Sequence, residues 1–142
     1  MKKIVLFITA FMLVLNCQAS ISGFKTDTAN KKIDLAELSE GGPGKDGIPS
    51  IDNPRFTSVA YAKKWLKDQE PVIVVEFDKV AKAYPLQILI WHEIVNDKLE
   101  NKPIVVTFCP LCYSAIVFER QVDGEILEFG VSGFLRHSDL VM

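Results

Sequence analysis

Soft metal-binding side chains are scarce in this chain, with three cysteines and two histidines among 142 residues. No second Cys-x-x-Cys pair accompanies Cys109-Pro110-Leu111-Cys112, so these two thiols must find any further ligand elsewhere in the fold. The metalloprotease pattern His-Glu-x-x-His is absent, because His92-Glu93 is followed by Asn96 where the second histidine should stand. The glycine-rich stretch is not a phosphate-binding P-loop: it lacks a Gly-Lys-Ser/Thr at the right spacing, and no strand precedes it. A basic excess is missing too. The formal net charge is −2, which gives no footprint for nucleic acid. No internal repeat is present, and no apolar run reaches the ~20 residues of a membrane-spanning helix.

The longest apolar run is Ile4 to Leu15, broken by Thr9. It follows Met1-Lys2-Lys3 and precedes Cys17-Gln18-Ala19, the basic, apolar and small-residue order of a bacterial secretory signal cleaved before Ser20. Lipidation of Cys17 ranks behind this, since Asn16 is larger than the small residue expected there. Cleavage after Ala19 leaves 14 basic and 18 acidic residues, a net charge of −4. The expected location is extracytoplasmic, periplasmic or secreted, with no membrane span after cleavage. There, an unliganded Cys109–Cys112 pair is expected to oxidise, and a bound metal to hold it as thiolates.

About 120 mature residues suffice for one core. We read residues 1–19 as signal peptide, 20–40 as a polar leader and 41–142 as a single α+β domain. The span Glu40 to Arg55, rich in Gly and Pro, cannot form regular structure. Its anchors Ile48 and Ile51, with Phe56 just beyond, make it a candidate site wall, Asp46, Asp52 and Asn53 facing a ligand cleft. Thr57 or Ser58 can cap a helix running to about Leu66, with Val59, Ala62, Trp65 and Leu66 on its packed face. A second short helix follows Pro85, from Leu86 to about Trp91, apolar nearly all round and therefore expected to be buried. Strands are predicted from Pro71 to Glu76, Ala81 to Tyr84, Pro103 to Phe108 and Ala115 to Phe118. Asp123-Gly124 marks a two-residue hairpin turn pairing Val122 with Glu125. Continued, that register pairs Phe118 with Phe129 and Ile116 with Val131, and sets Glu119 against Glu128. The fold predicted is α+β: a mostly antiparallel meander from Val72 to Val131 with two short helices. The chain stops at Met142 where Leu140-Val141 looks like the start of a strand, so the domain is expected to be incomplete at its C-terminus.

Cys109 and Cys112 lie between strand-like runs. This favours a metal knuckle on a tight turn over a helix-capping thioredoxin site. The first expectation is therefore an exported metal-binding protein, with Cys109 and Cys112 as thiolate ligands to zinc or copper. His92 is the candidate third ligand, Glu93 an outer-sphere or acid–base group, and His137 a weaker candidate. The second expectation is a thiol–disulfide protein in which Cys109 exchanges and Cys112 resolves. The third is a non-catalytic binding module with a structural disulfide. Its cleft is lined by Asp46, Asp52 and Asn53 on the glycine-rich loop and by Arg136 and Asp139 near the end, Arg136 binding an anion or pairing with Asp139.

Four blocks of the sequence carry a resemblance: Gly41-Gly-Pro-Gly-Lys-Asp-Gly-Ile-Pro-Ser-Ile-Asp-Asn-Pro54, Ala83 through Asp97, Thr107 through Cys112, and Phe129 through Met142. In this order they resemble a bacterial and archaeal family known as domain of unknown function 3179. The resemblance runs from about Gly41 to the last residue. It implies an export signal and an N-terminal fragment of a longer domain, and it implies no activity. Members often carry a small residue or Asn at the position of Tyr113, and Asn at that of His137. Here the knuckle turn loses a relaxing glycine, and a ligand role for His137 is weakened.

Overall fold

The computed structural model describes residues 24, 25 and 27–142. The expected signal peptide and the first residues of the leader lie outside them. The described chain is mostly strand, with two short helices. A 3-10 turn at Leu35–Glu37 starts it, and Asp34 caps the turn by accepting from the Ala36 N–H at 3.0 Å. The elements that follow are β1 (Leu38–Glu40), β2 (Ile51–Asp52), α1 (Val59–Ala62), β3 (Val72–Phe77), β4 (Val80–Pro85), α2 (Leu86–Leu89), β5 (Ile94–Leu99) and β6 (Lys102–Cys109). Next come β7 (Ser114–Glu119), β8 (Gln121–Val122), β9 (Glu125–Ile126), β10 (Phe134–Arg136) and β11 (Asp139–Leu140).

The central sheet has the order β2-β5-β6-β7. Its last three strands are antiparallel neighbours, while β2 runs parallel to β5. β6 is central because its run from Pro103 to Cys109 is apolar on both sides of the pleat, and such a strand must be covered on both faces. One face carries Val95, Leu99, Ile104, Val106 and Phe108. It packs under Tyr84, Leu89, Ile73, Val75, Phe77 and Leu86, from the β3–β4 hairpin and α2. The other face carries Ile94 and Val105, covered by Val131, Phe129, Ile48 and Leu140. The expected single meander from Val72 to Val131 is therefore divided. β3–β4 forms its own two-stranded sheet, laid across the first face, and only β5 to β7 meander.

A buried ion pair ties that hairpin down. On β4, Lys82 and Tyr84 alternate inward, and both reach Asp97 of β5. The Lys82 ammonium donates to the two carboxylate oxygens at 2.9 and 2.8 Å, and the Tyr84 hydroxyl donates to one of them at 2.8 Å. The Lys98 N–H adds a further bond at 2.7 Å. The Asp97 side chain is only 6% exposed, so its charge is tolerable because it is paired and fully hydrogen-bonded.

The two helices exist but are shorter and wetter than predicted. Ser58 caps α1 as expected, accepting from the Tyr61 N–H at 3.3 Å, yet Val59 and Trp65 of its predicted packed face are exposed. α2 starts at Leu86 with Pro85 as its cap, and of its apolar run only Leu89 is buried while Trp91 is 74% exposed. Apolar character all round did not make this segment a core element, because the first face of the sheet has room for one side of it.

The Asp123-Gly124 turn is formed as predicted, both residues at positive φ (50° and 85°) with Val122 paired to Glu125. The ladder then ends one step on, where the Leu127 N–H meets the Arg120 carbonyl at 2.8 Å. Asn96 causes the departure. Its side-chain amide accepts from the Phe129 N–H at 3.0 Å and donates to the Phe129 carbonyl at 2.7 Å, so it acts as a substitute strand partner. Phe129 and Val131 are thereby drawn over β5 instead of pairing with Phe118 and Ile116. β7 pairs with β6, setting Ile116 opposite Thr107 and Phe118 opposite Val105, and Glu119 turns to Lys102 rather than Glu128.

Candidate metal centre

β6 ends at Cys109 and β7 begins at Ser114, and these two are cross-strand partners. The intervening Pro110 to Tyr113 reverse the chain, with Tyr113 in the left-handed region at φ 53°. Its ring is fixed edge-on against Phe108, with centroids 5.6 Å apart, which offsets part of the backbone strain. Strands on both sides of the pair are the knuckle setting expected, and no helix is capped by either cysteine.

A second turn meets the first. β10 and β11 are joined by His137 and Ser138, at φ 51° and 69°, with Arg136 opposite Asp139. This is the two-residue turn with both positions left-handed, built here without glycine. It delivers Asp139 to the cysteines. The Cys112 thiol lies 3.3 Å from the Asp139 carboxylate and 3.0 Å from the Ser114 hydroxyl. The Cys109 thiol lies 3.8 Å from the Ser138 carbonyl oxygen. One donor atom each from Cys109, Cys112 and Asp139 falls within 4.8 Å of the others. Among the described residues this is the group of His, Cys, Asp and Glu side chains able to hold a metal ion.

Cys109 is 2% exposed, whereas Cys112 and Asp139 face solvent. Burial pushes the Cys109 thiol up, and the Cys112 and Asp139 side chains add to this. The backbone N–H groups of Cys112 and Leu140 point the other way, stabilising a thiolate there. Burial thus favours the thiol form of Cys109, while the backbone is already arranged for a sulfur that carries charge.

His92, the expected third ligand, does not join the group. Its Nδ1 is 2.8 Å from the Pro49 carbonyl, an ordinary structural hydrogen bond, and the third side chain beside the two cysteines is Asp139. Glu93 sits beyond α2 at φ 59°. Its N–H closes on the Leu89 carbonyl at 2.7 Å, and its own carbonyl accepts from the Phe108 N–H at 2.8 Å. Burial raises its carboxyl pKa. Its backbone couples α2 to the strand that ends in Cys109. His137 is exposed and contacts Glu37 at 3.2 Å.

The expected single cleft is distributed over separate places. Asp46 is paired with Lys45, and Asp52 accepts from the Asn96 amide at 2.7 Å; both line a half-open groove of about 860 Å³. Asn53, at φ 60°, lines a different hollow of about 480 Å³ beside Lys82 and Arg120. Arg136 is held by Glu37 at 2.6 Å rather than by Asp139. Asp139 thus moves from the predicted cleft to the metal group. No local spacing rule links position 139 to 109 and 112.

Residues 45–142 match the family described as Protein of unknown function (DUF3179), which is most of the chain. The chain belongs to that family. Searches of curated proteins and of solved structures found no match to it.

Proposed function

Membership of a family without an assigned activity leaves the chemistry to the site, and we propose that this chain is an exported zinc-binding protein. The ligands are the Cys109 and Cys112 thiolates and the Asp139 carboxylate. The observation that carries this reading is the convergence of those three donors from two separate turns. Export rests on the N-terminal Lys-Lys head, apolar run and Ala19 site. A carboxylate beside two thiolates suits Zn²⁺ better than Cu⁺, which prefers an all-soft set. Zinc held by these residues would have bonds of about 2.3 Å to sulfur and about 2.0–2.2 Å to oxygen. Three protein ligands with a further position free is the arrangement of zinc sites that meet a ligand, whereas purely structural sites use four. The test is elemental analysis of protein purified without chelator. About one zinc per chain is expected, lost in Cys109→Ser, Cys112→Ser and Asp139→Ala; no metal in the wild type overturns the reading. Mass spectrometry of the native N-terminus should find Ser20 first, and an intact Met1 would remove the export claim.

A second reading is favoured by the unequal exposure of the pair. In a thiol–disulfide protein of this geometry, exposed Cys112 is the attacking thiol and buried Cys109 the resolving one, the reverse of the order expected from sequence. A metal-free protein with no free thiols and a reduction potential above about −200 mV supports exchange, and one below about −300 mV a structural bond.

A further inference from the structure

A small hollow of about 150 Å³ opens beside the cysteine turn, on the second face of the central sheet. Thr107, Ile116 and Phe118 form its floor, and Leu140 and Met142 stand over it. The β6–β7 register explains the floor. Thr107 and Cys109 share a face with their partners Ile116 and Ser114, so the hollow is the continuation of the metal site down the sheet. Cys109 and Asp139 both line it, and Cys112 does not. A metal bound to all three therefore sits at the wall of the hollow.

The walls restrict what could enter. Ile116 and Phe118, large apolar side chains that line the hollow, are 48% and 42% exposed. The two hydroxyl groups nearby are engaged: Thr107 donates to the Ile116 carbonyl at 3.0 Å, and Ser114 contacts the Cys112 sulfur at 3.0 Å. No side-chain hydroxyl is left on these walls to orient a carboxylate or phosphate head, whereas a thiolate needs only the metal.

Resting on the zinc reading above, we propose that the free coordination position faces this hollow and takes a small thiol with an apolar body. The thiol binds as thiolate, displacing a water and releasing its proton to solvent. An apolar cavity of roughly 150 Å³ accommodates a benzene ring. Thiophenol is thus the matching probe, and 4-mercaptobenzoate is the control with the same aryl thiol head and a charged body.

The experiment uses the full chain loaded anaerobically with Co²⁺, whose visible and near-ultraviolet bands report the number of thiolate bonds. Thiophenol should add the signature of a third cobalt–thiolate bond while equilibrium dialysis shows cobalt still bound to protein. Phenol, with the same body and no thiol, should not. Binding of 4-mercaptobenzoate should be about tenfold weaker than that of thiophenol, a loss of roughly 1.4 kcal/mol. Ile116→Trp fills the hollow from an exposed position and should weaken thiophenol about tenfold, leaving cobalt affinity within about threefold. Phe118→Ala removes a wall and should weaken it in the same direction. A cobalt protein that ignores thiophenol overturns the inference and leaves the metal site standing. Equal affinity for the two thiols, or no effect of either variant, overturns the role of the hollow. Failure of the wild type to take up cobalt removes the metal reading on which the inference rests.

Discussion

Replacing Tyr84 by Phe should expose the worth of the bond that clips the β3–β4 hairpin to the central sheet. The ring is buried and packs edge-on to Phe56 at 5.4 Å, and the substitution leaves that packing in place. What is removed is a hydroxyl donating to the Asp97 carboxylate at 2.8 Å. Hydrogen bonds to charged groups contribute about 1.5–3 kcal/mol. Asp97 keeps its bonds to Lys82 and to the Lys98 N–H, so it is not stranded, and the lower end, about 1.5 kcal/mol at pH 7, is expected. The pH dependence has a definite sign. Burial first, then the Asp97 hydrogen bond and the Asp97 charge, push the Tyr84 phenol well above its ordinary value of 10.0. The folded state therefore holds the proton after the unfolded state has lost it. The stability Tyr84 contributes is complete below about pH 10 and declines as pH rises beyond it. By about pH 11 the decline amounts to roughly 1.4 kcal/mol, and the variant has no such decline. Urea melts of both proteins at the two pH values measure the difference, in which other titrating groups cancel. A gap that stays constant from neutral to alkaline pH, or that is absent at pH 7, would refute the reasoning.

Other perturbations test other joints. His137→Asn should stabilise the fold by about 0.5–1 kcal/mol in a thermal melt, since Asn tolerates the left-handed backbone and the exposed histidine gives up only its contact with Glu37. Asn96→Ala should cost about 2–4 kcal/mol in denaturant, because both backbone groups of Phe129 lose their partner. Zinc retention should fall as pH is lowered, because the thiolates must be deprotonated to bind; a chelator-competition titration that is flat from neutral to acid pH would contradict thiolate ligation.

Much of the scaffold was legible because local rules set it. The β6 run and the Asp123-Gly124 turn announce themselves by composition, and Ser58 and Pro85 by their capping habits. The structure parts from the sequence where a distant side chain intervenes. Asn96 captures Phe129 across the sheet, and nothing near either residue foretells it. The Leu86 to Trp91 run shows the limit of hydrophobicity as a guide, since Leu89 is buried and Leu86 half-buried while Ile88, Ile90 and Trp91 are exposed. At the site the cysteine turn was readable from its flanking strands. The third donor was not, because Asp139 is delivered by a turn of His137 and Ser138, residues that do not advertise a left-handed backbone.

The meeting of the two turns also sets an order of events. Cys109 and Cys112 become neighbours as soon as β6 and β7 pair, a local step. Asp139 arrives only when the β10–β11 hairpin docks, which requires closing a long loop of chain. A partly folded chain can therefore offer two thiols but not the complete set of three donors. Metal retained through purification would then report that the β10–β11 hairpin has docked beside the cysteine turn.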